Sequence, residues 1–127
     1  MNSTPENTFD VIIIGAGAAG LTAGIYASRA KMKTLILNEG AIGGQMVLTH
    51  EIANYPGVEN INGYQLARIM KSQAKNFGCK IKSNLKITSM QFDGPLKNVE
   101  VNNKVTYSAK AVIIATGGRA RNLGVPG

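Results

Sequence analysis

The chain has 127 residues, of which 44% are hydrophobic and 17% charged, and a formal net charge of +7. That length suits one domain with a modest core, and the composition excludes an intrinsically disordered chain. The longest apolar runs, "VIII" and "AVIIA", are far too short to span a bilayer, and a single cysteine, Cys79, excludes an internal disulfide or a CxxC redox pair.

The first ten residues, "MNSTPENTFD", have no basic start and no apolar core, so no secretory signal is expected and the expected location is cytoplasmic. Val11 to Ile14 form a β-branched run suited to a strand buried on both faces, which Gly15 ends. From about Ala18 to Ala30, "AAGLTAGIYASRA" is rich in small residues and predicts a helix packed closely on a sheet. "KTLILN" predicts a second buried strand, so residues 9–38 form a βαβ unit. Residues 39–63 are rich in glycine and asparagine and longer than an ordinary connection, a length that usually signals function.

An amphipathic helix is predicted over Tyr64 to Phe77, with Leu66, Ile69, Met70, Ala74 and Phe77 on one face and Arg68, Lys71 and Lys75 pointing away. Gly78 is its expected stop. Cys79 to Tyr107 read as short strands with turns at "DGP" and "NNK", a small meander, and "KAVIIATGG" as a third apolar strand. Cys79 itself, between a helix stop and a strand, is expected in the core. From Arg68 to Lys86 the chain carries six basic residues and no acidic one. Phe77 is the one aromatic residue among them, fewer than a base-stacking surface requires, so a solvated face is expected and no nucleic acid.

Gly15, Gly17 and Gly20 spell GxGxxG between a buried strand and a helix, the context that gives the pattern meaning. The first glycine permits a tight turn, the second lets backbone approach a pyrophosphate, and the third lets helix and strand pack together. The helix N-terminus then offers unpaired N–H groups to the phosphates. An acidic residue should follow the second strand and meet a ribose hydroxyl. Asn38 stands directly after the apolar run and Glu39 one place later. Either the chain slips by one residue and Glu39 meets the ribose, or the Asn38 amide makes a weaker contact.

"DVIIIGAGAAGLTAGIYASRA", "GGQM", "EIANYPGV", "AKAVIIATGG" and "LGVPG" stand in one order between Phe9 and Gly127. Together they resemble the N-terminal FAD-binding part of thioredoxin reductases and their low-molecular-weight flavoprotein relatives. The resemblance implies an α/β, Rossmann-like FAD-binding domain with a central parallel sheet, flanking helices and a small β-meander. It implies that Gly15, Gly17, Ala18 and Ala19 line the FAD pyrophosphate and that Asn38 and Glu39 sit by the adenosine ribose. Gly43, Gly44 and Gln45 would run along the ribityl chain and flavin edge, with His50 and Asn54 near the ring. Ile87 would offer backbone to adenine, and Thr116 and Gly117 would form a turn close to the cofactor. One cysteine and one histidine cannot supply a usual metal-ligand set, so no metal site is expected.

Full members of that family add a nicotinamide-binding domain with a redox-active CxxC and a C-terminal segment over the flavin. Neither is in residues 1–127, so the resemblance implies a partial FAD-binding domain with no catalytic residue of its own. The intact enzyme would move electrons from NADPH through FAD to a disulfide acceptor, with thioredoxin or another small redox protein as partner, as a homodimer away from membranes. Three alternatives stay open: a ferredoxin-linked or NADPH–ferredoxin reductase relative, a non-catalytic FAD-binding module, and a plain NAD(P)-binding domain. The GGQ loop and "ANYPG" speak against the last.

Overall fold

The computed structural model describes residues 5–40, 42 and 63–116. A single 3-10 turn (Pro5–Asn7) leads into β1 (Thr8–Ile14), α1 (Ala18–Arg29), β2 (Thr34–Leu37), α2 (Gly63–Asn76) and β3 (Lys80–Lys82). Strands β4 (Ile87–Gln91), β5 (Lys97–Val101) and β6 (Val105–Ile114) follow. All six strands belong to one sheet in the order β3-β2-β1-β6-β5-β4. The first four in that order run parallel, while β6, β5 and β4 pair antiparallel.

Side-chain alternation in β1 and β2 builds the layers. Val11, Ile13 and Ile36 face one way and join Leu21, Leu66, Met70 and Ala74 from the helices. Ile12, Ile14, Leu35 and Leu37 face the other way and meet Phe9, Val99, Val101 and Tyr107. The meander therefore folds back over the face that the helices leave open. Strand β6 makes this possible because it is shared: residues 105–109 pair with β5 and residues 108–114 with β1. Leu35, Ile36 and Leu37 are wholly buried, each contributing roughly 1.5–3 kcal/mol of transfer free energy. A strand covered on both faces reads as an unbroken apolar run, which is why β2 was visible in the sequence.

The βαβ unit, the second helix and the meander turns at "DGP" and "NNK" all form, with boundaries shifted by a residue or so. Two details differ from expectation. The first is that the meander is not a separate small sheet: β3 leaves it to pair with β2, and the last meander strand and the third apolar strand are one ten-residue strand. The second concerns α2, where Leu66, Ala67, Met70 and Ala74 are buried but Ile69 and Phe77 are about half exposed. Phe77 lies at the helix end, and the Arg29 guanidinium sits 5.8 Å from its ring centre and 5.8 Å from that of Tyr26. Its apolar surface is spent on a cation stack at the surface rather than on the core.

Both helices end in the same way. At α2, Gly78 adopts φ +96°, its N–H bonds to Lys75 O, and Cys79 N–H bonds to Ala74 O. At α1 the left-handed residue is Lys31 (φ +65°), with Lys31 N–H on Ser28 O and Met32 N–H on Ala27 O. Each is a Schellman motif that satisfies the last carbonyls. Helix α1 approaches β2 closely because Gly24 has no side chain: a Cβ there would lie 2.7 Å from Ile36 Cδ1 and 3.3 Å from Cys79 Sγ. Cys79 is buried as expected, and burial pushes its thiol above the ordinary value of 9.0, partly offset by the Ser28 hydroxyl. That hydroxyl is itself buried without a hydrogen bond of conventional geometry.

Candidate functional site

Strand register brings the site together. Ile14 pairs with Leu37 on one side and with Ile114 on the other, so β1, β2 and β6 end flush. Gly15 N–H then bonds to Leu37 O and Ala115 N–H to Ile14 O, both at 2.8 Å. Chain order runs from β1 outward through β2 to β3, and β6 fills the opposite side of β1. The crevice above β1 is therefore the topological switch point, where open α/β sheets bind ligands.

The three glycines of the turn have different reasons to be there. Gly15 adopts φ +113°, and a Cβ on it would run into Ala115 O. A Cβ on Gly20 would run into Gly15 O, so the third glycine lets α1 sit down on the end of β1. Gly17 is extended (φ −81°, ψ −166°), a conformation open to any residue, and it forms the N-cap of α1. A serine or aspartate there would satisfy a first-turn N–H and stabilise the helix by about 0.5–2 kcal/mol. Gly17 makes no such bond, and the first turn contains no acidic residue. The first helical bond runs from Leu21 N–H to Gly17 O at 2.9 Å. The N–H groups of Ala18, Ala19 and Gly20 thus have no partner within the helix, and the positive end of the helix dipole is left uncapped. Such a group of free backbone donors suits an anion.

Asn38 and Glu39 divide their work. Asn38 Oδ1 accepts from Ala16 N–H at 3.0 Å and its Nδ2 donates to Gly40 O at 2.6 Å. It ties the end of β2 to the turn after β1. Glu39 is exposed, and one carboxylate oxygen, Oε2, accepts from Ile87 N–H at 2.9 Å. Two residues that sequence reasoning placed beside the ribose and the adenine of one adenosine are thus joined directly. Leu85 N–H on Asn38 O (3.4 Å) and Asn84 N–H on Gly40 O (3.1 Å) hold the same two segments together. Thr116 lies beside Gly15: its Cα would be 3.1 Å from a Cβ on that glycine.

Gly15, Gly17, Ala18, Ala19, Asn38, Glu39 and Thr116 therefore follow the carboxyl ends of β1, β2 and β6, and Ile87 joins them through Glu39. Gly43, Gly44, Gln45, His50, Asn54 and Gly117 lie outside the described residues. Sequence reasoning missed Ala16, whose buried N–H anchors Asn38. No local signal marks it, because the bond spans 22 positions and depends on the flush register of β1 and β2. Among the described residues there is no cluster of His, Cys, Asp or Glu able to hold a metal, and no helix long and apolar enough to cross a membrane.

The profile of the pyridine nucleotide-disulphide oxidoreductases matches residues 9–127. Over 123 residues the chain is 46% identical to a thioredoxin reductase of Peptoclostridium acidaminophilum, covering 96% of this chain and 38% of that protein. The thioredoxin reductase of Streptococcus pyogenes superposes with a TM-score of 0.82 at 40% identity, over 95% of this chain and 39% of that one. A ferredoxin-flavin thioredoxin reductase from Clostridium acetobutylicum superposes with a TM-score of 0.71 at 27% identity, over 84% of this chain and 37% of that one. The chain spans about two fifths of the length of these relatives. With this share of sequence and fold in common, the chain belongs to the pyridine nucleotide-disulphide oxidoreductases, as a thioredoxin reductase-like member with a Rossmann-like α/β fold.

Proposed function

We propose that residues 1–127 form part of the FAD-binding domain of a thioredoxin reductase-like flavoprotein. The observation that carries this reading is the uncapped N-terminus of α1, where a glycine N-cap leaves three N–H donors to a pyrophosphate. Gly15, Gly17, Ala18 and Ala19 line the diphosphate, and the N–H groups of Ala18, Ala19 and Gly20 are free to donate to it. Glu39 keeps its second carboxylate oxygen for a ribose hydroxyl while the first fixes Ile87 at the adenine end. Asn38 is then a positioning residue, holding the turn rather than touching the ribose. Thr116 and Gly117 border the turn, and Gly43, Gly44, Gln45, His50 and Asn54 serve the flavin end.

Bound flavin supplies the redox chemistry, and the protein supplies binding and orientation. In the intact enzyme electrons pass from NADPH through FAD to a disulfide of thioredoxin or another small redox protein, in a cytoplasmic homodimer. Strand β6 supports the partial-domain reading: among the described residues, 110–114 pair on one side only, and Ile113 and Ile114 are 42% and 40% exposed. Further parts of the protein would cover them. The likeness to a ferredoxin-flavin thioredoxin reductase favours, as second reading, a member in which ferredoxin replaces NADPH as donor.

Visible absorbance of the purified protein titrated separately with FAD, FMN and NADPH tests the first step. Binding of FAD with a shifted flavin spectrum is expected. Selective binding of NADPH would overturn the proposal.

A further inference from the structure

Strand β4 stands at the end of the sheet, with β5 as its one neighbour among the described residues. Its ladder is irregular where it begins: Ile87 pairs with Val101, and the register shifts before Ser89 pairs with Glu100. Sheet pairing alone therefore does little to fix Ile87. Other bonds hold residues 84–88, and they come from two sides. Asn84, Leu85 and Ile87 donate their N–H groups to Gly40 O, Asn38 O and the Glu39 carboxylate after β2.

The turn between β5 and β6 holds the opposite side. Lys86 N–H donates to Asn102 Oδ1 at 2.9 Å, and Asn102 N–H donates to Lys86 O at 2.8 Å. One step further, Asn103 N–H donates to the Thr88 hydroxyl at 3.1 Å, and that hydroxyl donates to Glu100 Oε1 at 2.9 Å. Backbone polar groups of an extended chain alternate in direction, so residue 86 faces the turn while 85 and 87 face the end of β2. The turn itself is closed by Lys104 N–H on Val101 O, and its central residues Asn102 and Asn103 are left-handed, with φ +55° and +53°. Glycine would satisfy that backbone equally well. Only a side chain with an acceptor at this length adds the bond to Lys86 N–H.

We infer that Asn102 is a positioning residue for the adenine end of the site. It holds residue 86 at both backbone groups, and residue 86 sets where the Ile87 backbone meets the Glu39 carboxylate. The inference rests on the FAD reading, in which Glu39 takes the ribose and Ile87 the adenine. It gives the turn between β5 and β6 a part in selecting ligands that carry an adenylate half.

Calorimetric titration with ADP, and with inorganic pyrophosphate as comparison, tests this in two variants. Asn102→Gly keeps the left-handed turn and removes Oδ1, whereas Asn102→Asp keeps an acceptor oxygen there. Asn102→Gly should bind ADP about fivefold more weakly, which corresponds to about 1 kcal/mol or one hydrogen bond. Its pyrophosphate affinity should be parental, since that ligand does not reach Ile87, and Asn102→Asp should restore ADP binding. In NMR spectra of the unliganded protein the Ile87 amide proton should move upfield in Asn102→Gly and return in Asn102→Asp. An unmoved Ile87 signal, parental ADP affinity in Asn102→Gly, equal losses for ADP and pyrophosphate, or no rescue by Asn102→Asp would each overturn the inference and leave the FAD reading standing. A parent that binds neither FAD nor ADP would overturn both.

Discussion

Replacing Asn38 separates holding the turn from touching the cofactor. In Asn38→Ala the Ala16 N–H, on a residue only 1% exposed, loses its acceptor. An unpaired buried donor costs about 1–3 kcal/mol, and the lost exposed bond to Gly40 O adds about 0.5 kcal/mol. The sum, about 2.5 kcal/mol, should appear as a lower urea midpoint with an unchanged slope when unfolding is followed by circular dichroism. Asn38→Asp is the sharper variant. Its carboxylate still accepts from Ala16 N–H, so the stability loss should stay under about 1 kcal/mol. It also sets a negative charge beside the free donors of α1, so FAD should bind at least tenfold more weakly, and added salt should restore part of the loss. An unchanged midpoint for Asn38→Ala, or parental FAD affinity for Asn38→Asp, would refute the reasoning.

Glu39→Gln keeps an acceptor for Ile87 N–H and should leave melting unchanged, while Glu39→Ala should cost about 1 kcal/mol of stability and about tenfold in FAD affinity; equal FAD affinity in Glu39→Ala would remove its ribose role. Gly24→Ala gains about 1 kcal/mol of helix propensity but overpacks the wholly buried Ile36 by about 1–3 kcal/mol, so urea unfolding should show a small net loss and Gly24→Val a much larger one. The raised ionisation of Cys79 means that the folded state keeps a proton which the unfolded chain releases. Its contribution is complete below pH 9.0 and is lost as pH rises through the folded value, so melting should fall in alkali and fall less steeply in Cys79→Ala. Parallel pH profiles for the two proteins would contradict that assignment.

Much of this architecture was legible because the informative elements are buried on both faces. Val11 to Ile14 and Leu35 to Leu37 leave no polar position, and that pattern admits few readings beside a central parallel strand. The glycine spacing was legible for a related reason: Gly15 and Gly20 are each demanded by a specific backbone atom nearby. Two kinds of information were hidden. Helical periodicity alone put Ile69 and Phe77 in the core, but it does not reveal how wide a stripe the sheet can cover. The choice between Asn38 and Glu39 was equally closed to sequence, since it rests on bonds to Ala16 and Ile87, 22 and 48 positions away. Lys31 in a left-handed conformation ends α1 where no glycine announces it.

The central claim is that a pyrophosphate rests on the backbone at the start of α1, and Gly17→Val probes it most directly. Valine fits the extended backbone at this position, so melting should change little. Its side chain would fill the space through which the phosphates approach Ala18 and Ala19. Fluorescence titration with FAD should show affinity reduced about a hundredfold against a protein of parental stability. A Gly17→Val protein that binds FAD as tightly as the parent would contradict the account.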